Sequence, residues 1–140
     1  MSLDVKPALL AQAEQGEVDH AEFVACVRDS LPYAWATISA LVAELERGGN
    51  RERPFADNQV PPPSEQARGQ LLRALASDAI RGALERHFGV TLAFQNCHRV
   101  AVFPAGARTG SGSGSGAGRF REFTSVRAQL LNQSPELRDC

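Results

Sequence analysis

The sequence predicts an α+β fold that is mainly α: a small helical bundle with one β-hairpin and a C-terminal helical segment after a flexible Gly/Ser linker. Three observations carry that expectation. Apolar residues recur at spacings of three and four over 20–47 and again over 65–88, the period of a helix with one buried stripe. After Gly89 the period gives way to two short runs, "VTLAF" and "RVAVF", rich in valine and phenylalanine. Glycine then alternates with serine through "SGSGSG" before an apolar, helix-compatible composition returns at Arg119. The expected organisation is a helical domain over 1–104 ending in the hairpin, a linker over 105–118, and a helical tail over 119–140 that docks on 1–104.

Taken in order, the first short helix fits 6–15. Pro7 sits in the first turn, where its missing N–H has no partner to lose, and Gly16 supplies the left-handed stop. Asp19 followed by Glu22 forms a capping-box pattern for the next helix. Phe23, Val27, Leu31, Trp35, Ile38, Val42 and Leu45 keep one phase through to residue 47, across Pro32. The proline removes a hydrogen bond and clashes with the preceding turn. This predicts either one kinked helix or two nearly collinear ones, the second capped by Asp29 or Ser30.

Residues 48–63 read as a long connection, with Pro61, Pro62 and Pro63 as a rigid lead-in. Ser64 caps a helix expected over 65–88, the central element of the core. Gly69 and Gly82 each cost that helix about 1 kcal/mol against alanine, a cost that close approach of a neighbouring helix could offset. The two apolar runs after Gly89 then form a hairpin turning at Asn96-Cys97, which Pro104 closes. A fourteen-residue linker of the composition of 105–118 has a root-mean-square reach of about 20 Å, enough for the tail to fold back on its own body. In that tail Thr124 can cap a short helix, and Ser134-Pro135 a second one.

Composition narrows the classes of function. With 140 residues, 43 % hydrophobic and 22 % charged, the chain suits one globular domain with a real core. No stretch of eighteen apolar residues exists, so no membrane partner is expected. Three cysteines, Cys26, Cys97 and Cys140, are odd in number and widely spaced. That is no disulfide framework, and a reducing cytoplasm is the natural setting.

Charge is uneven: residues 1–47 hold eight acidic and three basic side chains, residues 48–140 eight acidic and twelve basic. Fourteen of the fifteen basic residues are arginine. Arginine suits phosphate contact, so nucleic acid is a possible partner. It is not favoured, because the arginines are scattered rather than gathered in a stripe, and G- and C-rich coding DNA yields the same bias.

No constellation of catalytic residues stands out. Cys97 beside His98 is the most suggestive pair, a possible reactive thiol, but neighbours in a strand point to opposite faces and no third group is placed to orient the imidazole. The histidines and cysteines lack metal-ligand spacing, so no metal and no cofactor is expected. Ser77, Asp78 and His87 contain the residue types of a triad without a nucleophile elbow. "GSGSGA" over 112–117 resembles a dinucleotide loop only formally. What remains is the tail, where Phe120, Phe123, Val126, Leu130 and Leu131 form a compact apolar set on a tether. Tethering raises their effective concentration at a nearby site to about the millimolar range.

Finally, "FADNQVPPPSEQARGQLLRALASDAIRGALERHFGVTLAFQNCHRVAVFP" and "FTSVRAQLLNQSPELRDC" resemble a family of small conserved actinobacterial proteins of uncharacterised function. The resemblance implies a high-GC bacterial cytoplasm and no known reaction. The function expected is therefore a non-enzymatic cytoplasmic regulatory or adaptor protein acting on an unknown protein partner. The alternatives are a nucleic-acid-associated protein using arginines of the 48–140 half, and a redox or catalytic protein dependent on Cys97.

Overall fold

The structure, a computed structural model, describes residues 2–48, 55–110 and 115–132. Within them lie seven helices and three strands: α1 (Pro7–Glu14), α2 (His20–Ser30), α3 (Pro32–Gly48), β1 (Ala56–Asp57), α4 (Glu65–Leu75), α5 (Asp78–Phe88), β2 (Val90–Gln95), β3 (Arg99–Pro104), α6 (Ser115–Phe123) and α7 (Val126–Leu131). The fold is α+β and mainly α. None of the helices is long and apolar enough to cross a membrane.

The stripe that spans Pro32 resolves into two helices meeting at Leu31, whose φ of −126° and ψ of 62° are not helical. Neither Asp29 nor Ser30 caps the second. Gln70, from α4, does so instead: its side-chain oxygen accepts from Tyr33 N at 2.7 Å and Ala34 N at 3.2 Å. The first-turn amides of a helix lack intrahelical partners, and Pro32 leaves the next two to be satisfied from outside. Asp19 caps α2 as expected, accepting from Glu22 N at 3.0 Å. The reciprocal bond of a capping box is made by another residue, since Asp19 N donates to Gln12 of α1 at 3.0 Å.

The helix expected over 65–88 is broken. Ala76 closes α4, and Ser77 (φ −91°, ψ 117°) begins α5 by accepting from Ile80 N at 3.3 Å. Arg81 turns back to donate to Leu75 O at 3.2 Å, satisfying one of the last carbonyls of α4. The break turns Leu71, Ala74 and Leu75 of α4, and Ile80 and Leu84 of α5, into one core with Val27, Leu31, Ile38 and Val42. A close-packed neighbour does not account for either glycine. A Cβ on Gly69 would meet nothing within 4 Å, and one on Gly82 would meet only Arg86 Nη1 at 3.5 Å.

The sheet runs in the order β1-β3-β2, antiparallel throughout. Its first strand lies inside the connection expected over 48–63, of which 49–54 lie outside the described residues. Beyond the two residues of β1, Asn58 continues the pairing with its side chain. Its Oδ1 accepts from Val100 N at 2.8 Å and its Nδ2 donates to His98 O at 2.8 Å. At the hairpin tip Asn96 and Cys97 have φ of 54° and 51°. Positive φ at both central residues, with His98 N donating to Gln95 O at 3.4 Å, is the turn whose twist suits a two-residue hairpin.

Strand alternation sends Val90, Leu92, Val100 and Val102 to the helical core, while Ala93, Ala101 and Phe103 face the other way into a second apolar cluster with Ala107 and Phe123. Both faces of the hairpin are thus covered, which explains why its strands read as near-continuous apolar runs. Strand β2 is an edge, and edges invite foreign strands. Here Leu92 N donates to Glu85 at 2.8 Å and Leu92 O accepts from Arg108 at 2.9 Å, so side chains occupy that part of the edge.

Candidate functional site

The outer face of the sheet is where the tail meets the body. Helix α6 opens at Ser115, inside the stretch expected to be linker, and of that stretch 111–114 lie outside the described residues. Ala107 and Ala117 are buried, so the glycine- and serine-rich composition conceals apolar contacts on either side of it.

An aromatic cluster holds α6 to the sheet. Phe103, fully buried at the centre, stacks on Phe55 with ring centroids 4.9 Å apart, and takes Phe120 and Phe123 edge-on at 5.4 and 5.8 Å. Edge-to-face and offset contacts of this kind add about 0.5–1.5 kcal/mol each beyond area burial. Two guanidinium groups lie over the tail's rings, Arg99 over Phe123 at 5.2 Å and Arg108 over Phe120 at 5.5 Å.

A polar layer lies beside the rings. Asp57, 3 % exposed, is ion-paired with Arg99, whose Nε donates to it at 2.9 Å. Gln59 also donates to Asp57, at 2.6 Å. Gln95, buried, donates to Phe123 O at 2.8 Å, and Asn96 donates to Asn132 O at 2.5 Å while bonding Gln129 as well. Three successive positions of the hairpin tip, Gln95, Asn96 and Cys97, therefore face the tail or carry a bridge. Cys97 itself is disulfide-bonded.

The five apolar residues of the tail separate into two groups. Phe123 is buried and Phe120 half-buried against the sheet. Val126, Leu130 and Leu131 are 77 %, 66 % and 64 % exposed. Thr124 does not cap α7: its hydroxyl donates back to Phe120 O at 2.8 Å, and Ser125 is the cap, accepting from Ala128 N at 3.1 Å. With Ala128 turned inward, the helix holds its larger side chains away from the body. The second cap expected at Ser134-Pro135 lies outside the described residues.

The other chemical candidates are dispersed. His98 Nδ1 meets the carbonyl of Asn96. A carbonyl only accepts, so that nitrogen carries its proton there and is not a base toward Cys97. Ser77 caps the start of α5 and His87 lies near its end, about 15 Å along the axis at 1.5 Å per residue, with the imidazole packed against Trp35. Cys26 is a free thiol beside Asp4 and Ser30. Among the described residues no three metal-ligating side chains come together. Arg68, Arg81, Arg99, Arg108 and Arg119 each face a carboxylate of the same chain. Sequence reasoning missed Asp57, Asn58, Gln70 and Gln95, and read Asn96 only as a turn residue. Each has a partner more than 25 positions away, a contact that no local pattern marks.

These features define a small helix-rich α+β protein whose C-terminal helices cover one face of a hairpin-centred sheet. The chain belongs to the family described as NucS shadow ORF, which matches residues 1–140. No curated protein and no solved structure matches it.

Proposed function

We propose that the protein acts without catalysis, as a cytoplasmic regulatory or adaptor protein of a high-GC, actinobacterial cell, through contacts made by the outward side of α7. The observation that carries this reading is the division of the tail. Phe120 and Phe123 fix α6 to the body, while Val126, Leu130 and Leu131 stand exposed on the short helix that follows. Apolar side chains presented on a helix suit the groove of a protein partner. The arginines support the same choice over nucleic acid, since carboxylates of the chain already face five of those in the 48–140 half, and phosphate binding calls for uncommitted cations. The double substitution Leu130→Asp, Leu131→Asp tests it by affinity capture from the native cytoplasm. The variant is expected to melt as the parent does and to lose the captured protein. Capture of the same proteins by both chains would overturn the reading.

The family description favours a second reading. We read the words shadow ORF as a reading frame lying over another gene, here NucS. On that reading the arginine bias is imprinted by the overlapping coding sequence, and no protein acts at all. Against it stands the agreement of local signals with the fold. Asp19, Ser64, Ser77 and Ser125 each accept the amide three residues on at a helix start, and such consistency across levels is what a selected sequence displays. The two readings part on whether the frame is translated.

A further inference from the structure

We propose that the cavity between the sheet and the C-terminal helices is a binding site for a small aromatic carboxylate. It measures about 190 Å³, and every residue lining it is among the described ones. Drug-sized ligands take cavities of about 300–1,000 Å³, so this volume selects a single ring. The apolar walls are Phe55 from the body and Phe123 and Ala128 from the tail. The rings of Phe55 and Phe123 are 6.4 Å apart and inclined at 61°, an arrangement that offers a third ring both a face and an edge.

Arg99 supplies a guanidinium already fixed in place. Its Nε donates to the buried Asp57 at 2.9 Å and its Nη2 bonds the same carboxylate oxygen, which uses one edge of the group. Nη1, on the other edge, makes only a long bond of 3.5 Å to Gln95. A guanidinium carries its donors in a rigid fork, so one edge can hold Asp57 while the other takes a second carboxylate. Arg119 stands at the rim, 51 % exposed, its link to Glu122 also 3.5 Å long. Two guanidinium groups against the one carboxylate in the lining, Glu122, leave the walls net positive. A carboxylate joined to a flat ring matches both halves of the cavity, whereas an aliphatic acid or a phosphate would leave the phenylalanine walls wet. The walls come from body and tail alike, so a bound acid ties α6 and α7 to the sheet. The site requires no partner protein and stands apart from the function proposed above.

The full chain, isotope-labelled for amide NMR, is titrated with benzoate at fixed ionic strength. The amides of Phe55, Arg119, Phe123 and Ala128 are expected to shift along one saturating curve with a Kd of about 1 mM, as suits a ligand this small. Benzamide keeps the ring without the charge and acetate the charge without the ring, and each is expected to bind about tenfold more weakly or worse. With free benzoate at about ten times its Kd, amide hydrogen exchange over 119–132 is expected to slow about tenfold, because only the docked tail binds it. Arg119→Gln, at a half-exposed side chain, should melt as the parent does and raise the Kd about tenfold. Ala128→Leu, which fills the cavity from α7, should abolish the shifts, and Arg28→Gln, on α2, should leave them intact. No saturable shift at these amides, equal binding of benzamide, an unchanged Kd in Arg119→Gln, or saturation with unchanged exchange over 119–132 would each overturn the site.

Discussion

Gln70 and Gly69 are adjacent, and they show how differently two residues of one helix can matter. Gln70 reaches from α4 to the start of α3 and satisfies two amides there. Gln70→Leu keeps the volume and leaves those amides without their acceptor, so a loss of about 2 kcal/mol is expected in urea unfolding. Gly69 has open space where its Cβ would be and a helical backbone. Gly69→Ala is therefore expected to raise stability by about 0.5–1 kcal/mol, read as a higher melting temperature. Neither effect was legible locally. A glutamine on a helix carries no mark of the helix it caps, and a glycine inside a helical pattern suggests a close neighbour that is not there. The caps at Asp19 and Ser64, by contrast, were plain, because the side chain and the amide it binds lie three residues apart.

At the scale of elements, periodicity revealed the helices and the hairpin but not where a helix stops. The apolar set from Leu71 to Leu84 keeps helical spacing across Ala76-Ser77, which hides the break. The serine followed by aspartate at 77–78 is a helix-start signal that the spacing overrode. Strand β1 was invisible because two residues and an asparagine side chain make no pattern. The hairpin strands follow the two apolar runs, and cover on both faces, seen only in the structure, accounts for their lack of alternation. That cover is α6, and its hold rests on Phe123 packed on Phe103 and Phe55. Phe123→Ala is expected to cost about 3 kcal/mol and to release the tail to protease. Leu130→Ser, on the exposed side of α7, is expected to change stability by less than about 0.5 kcal/mol. Equal effects from the two substitutions, measured by thermal melting, would contradict the division of the tail into a docked and a presented half.

For the whole molecule, one chain carries two apolar clusters on opposite faces of a three-stranded sheet, the larger closed by α2 to α5 and the smaller by α6. What the tail's composition conveyed was its apolarity. What it could not convey was the partition of that apolarity, because Phe120 and Phe123 differ from Leu130 and Leu131 only in what the sheet places opposite them.

All of this rests on the frame being read into a folded protein, and that is the claim to test first. Targeted mass spectrometry of native cells would look for the tryptic peptides VAVFPAGAR, residues 100–108, and AQLLNQSPELR, residues 128–138, one from β3 with its following turn and one beginning in the presented helix. The account predicts that both are found, in a fraction that elutes as an intact chain. Their absence at a depth where NucS peptides are readily detected would contradict it, and would leave the sequence as the shadow its family description names.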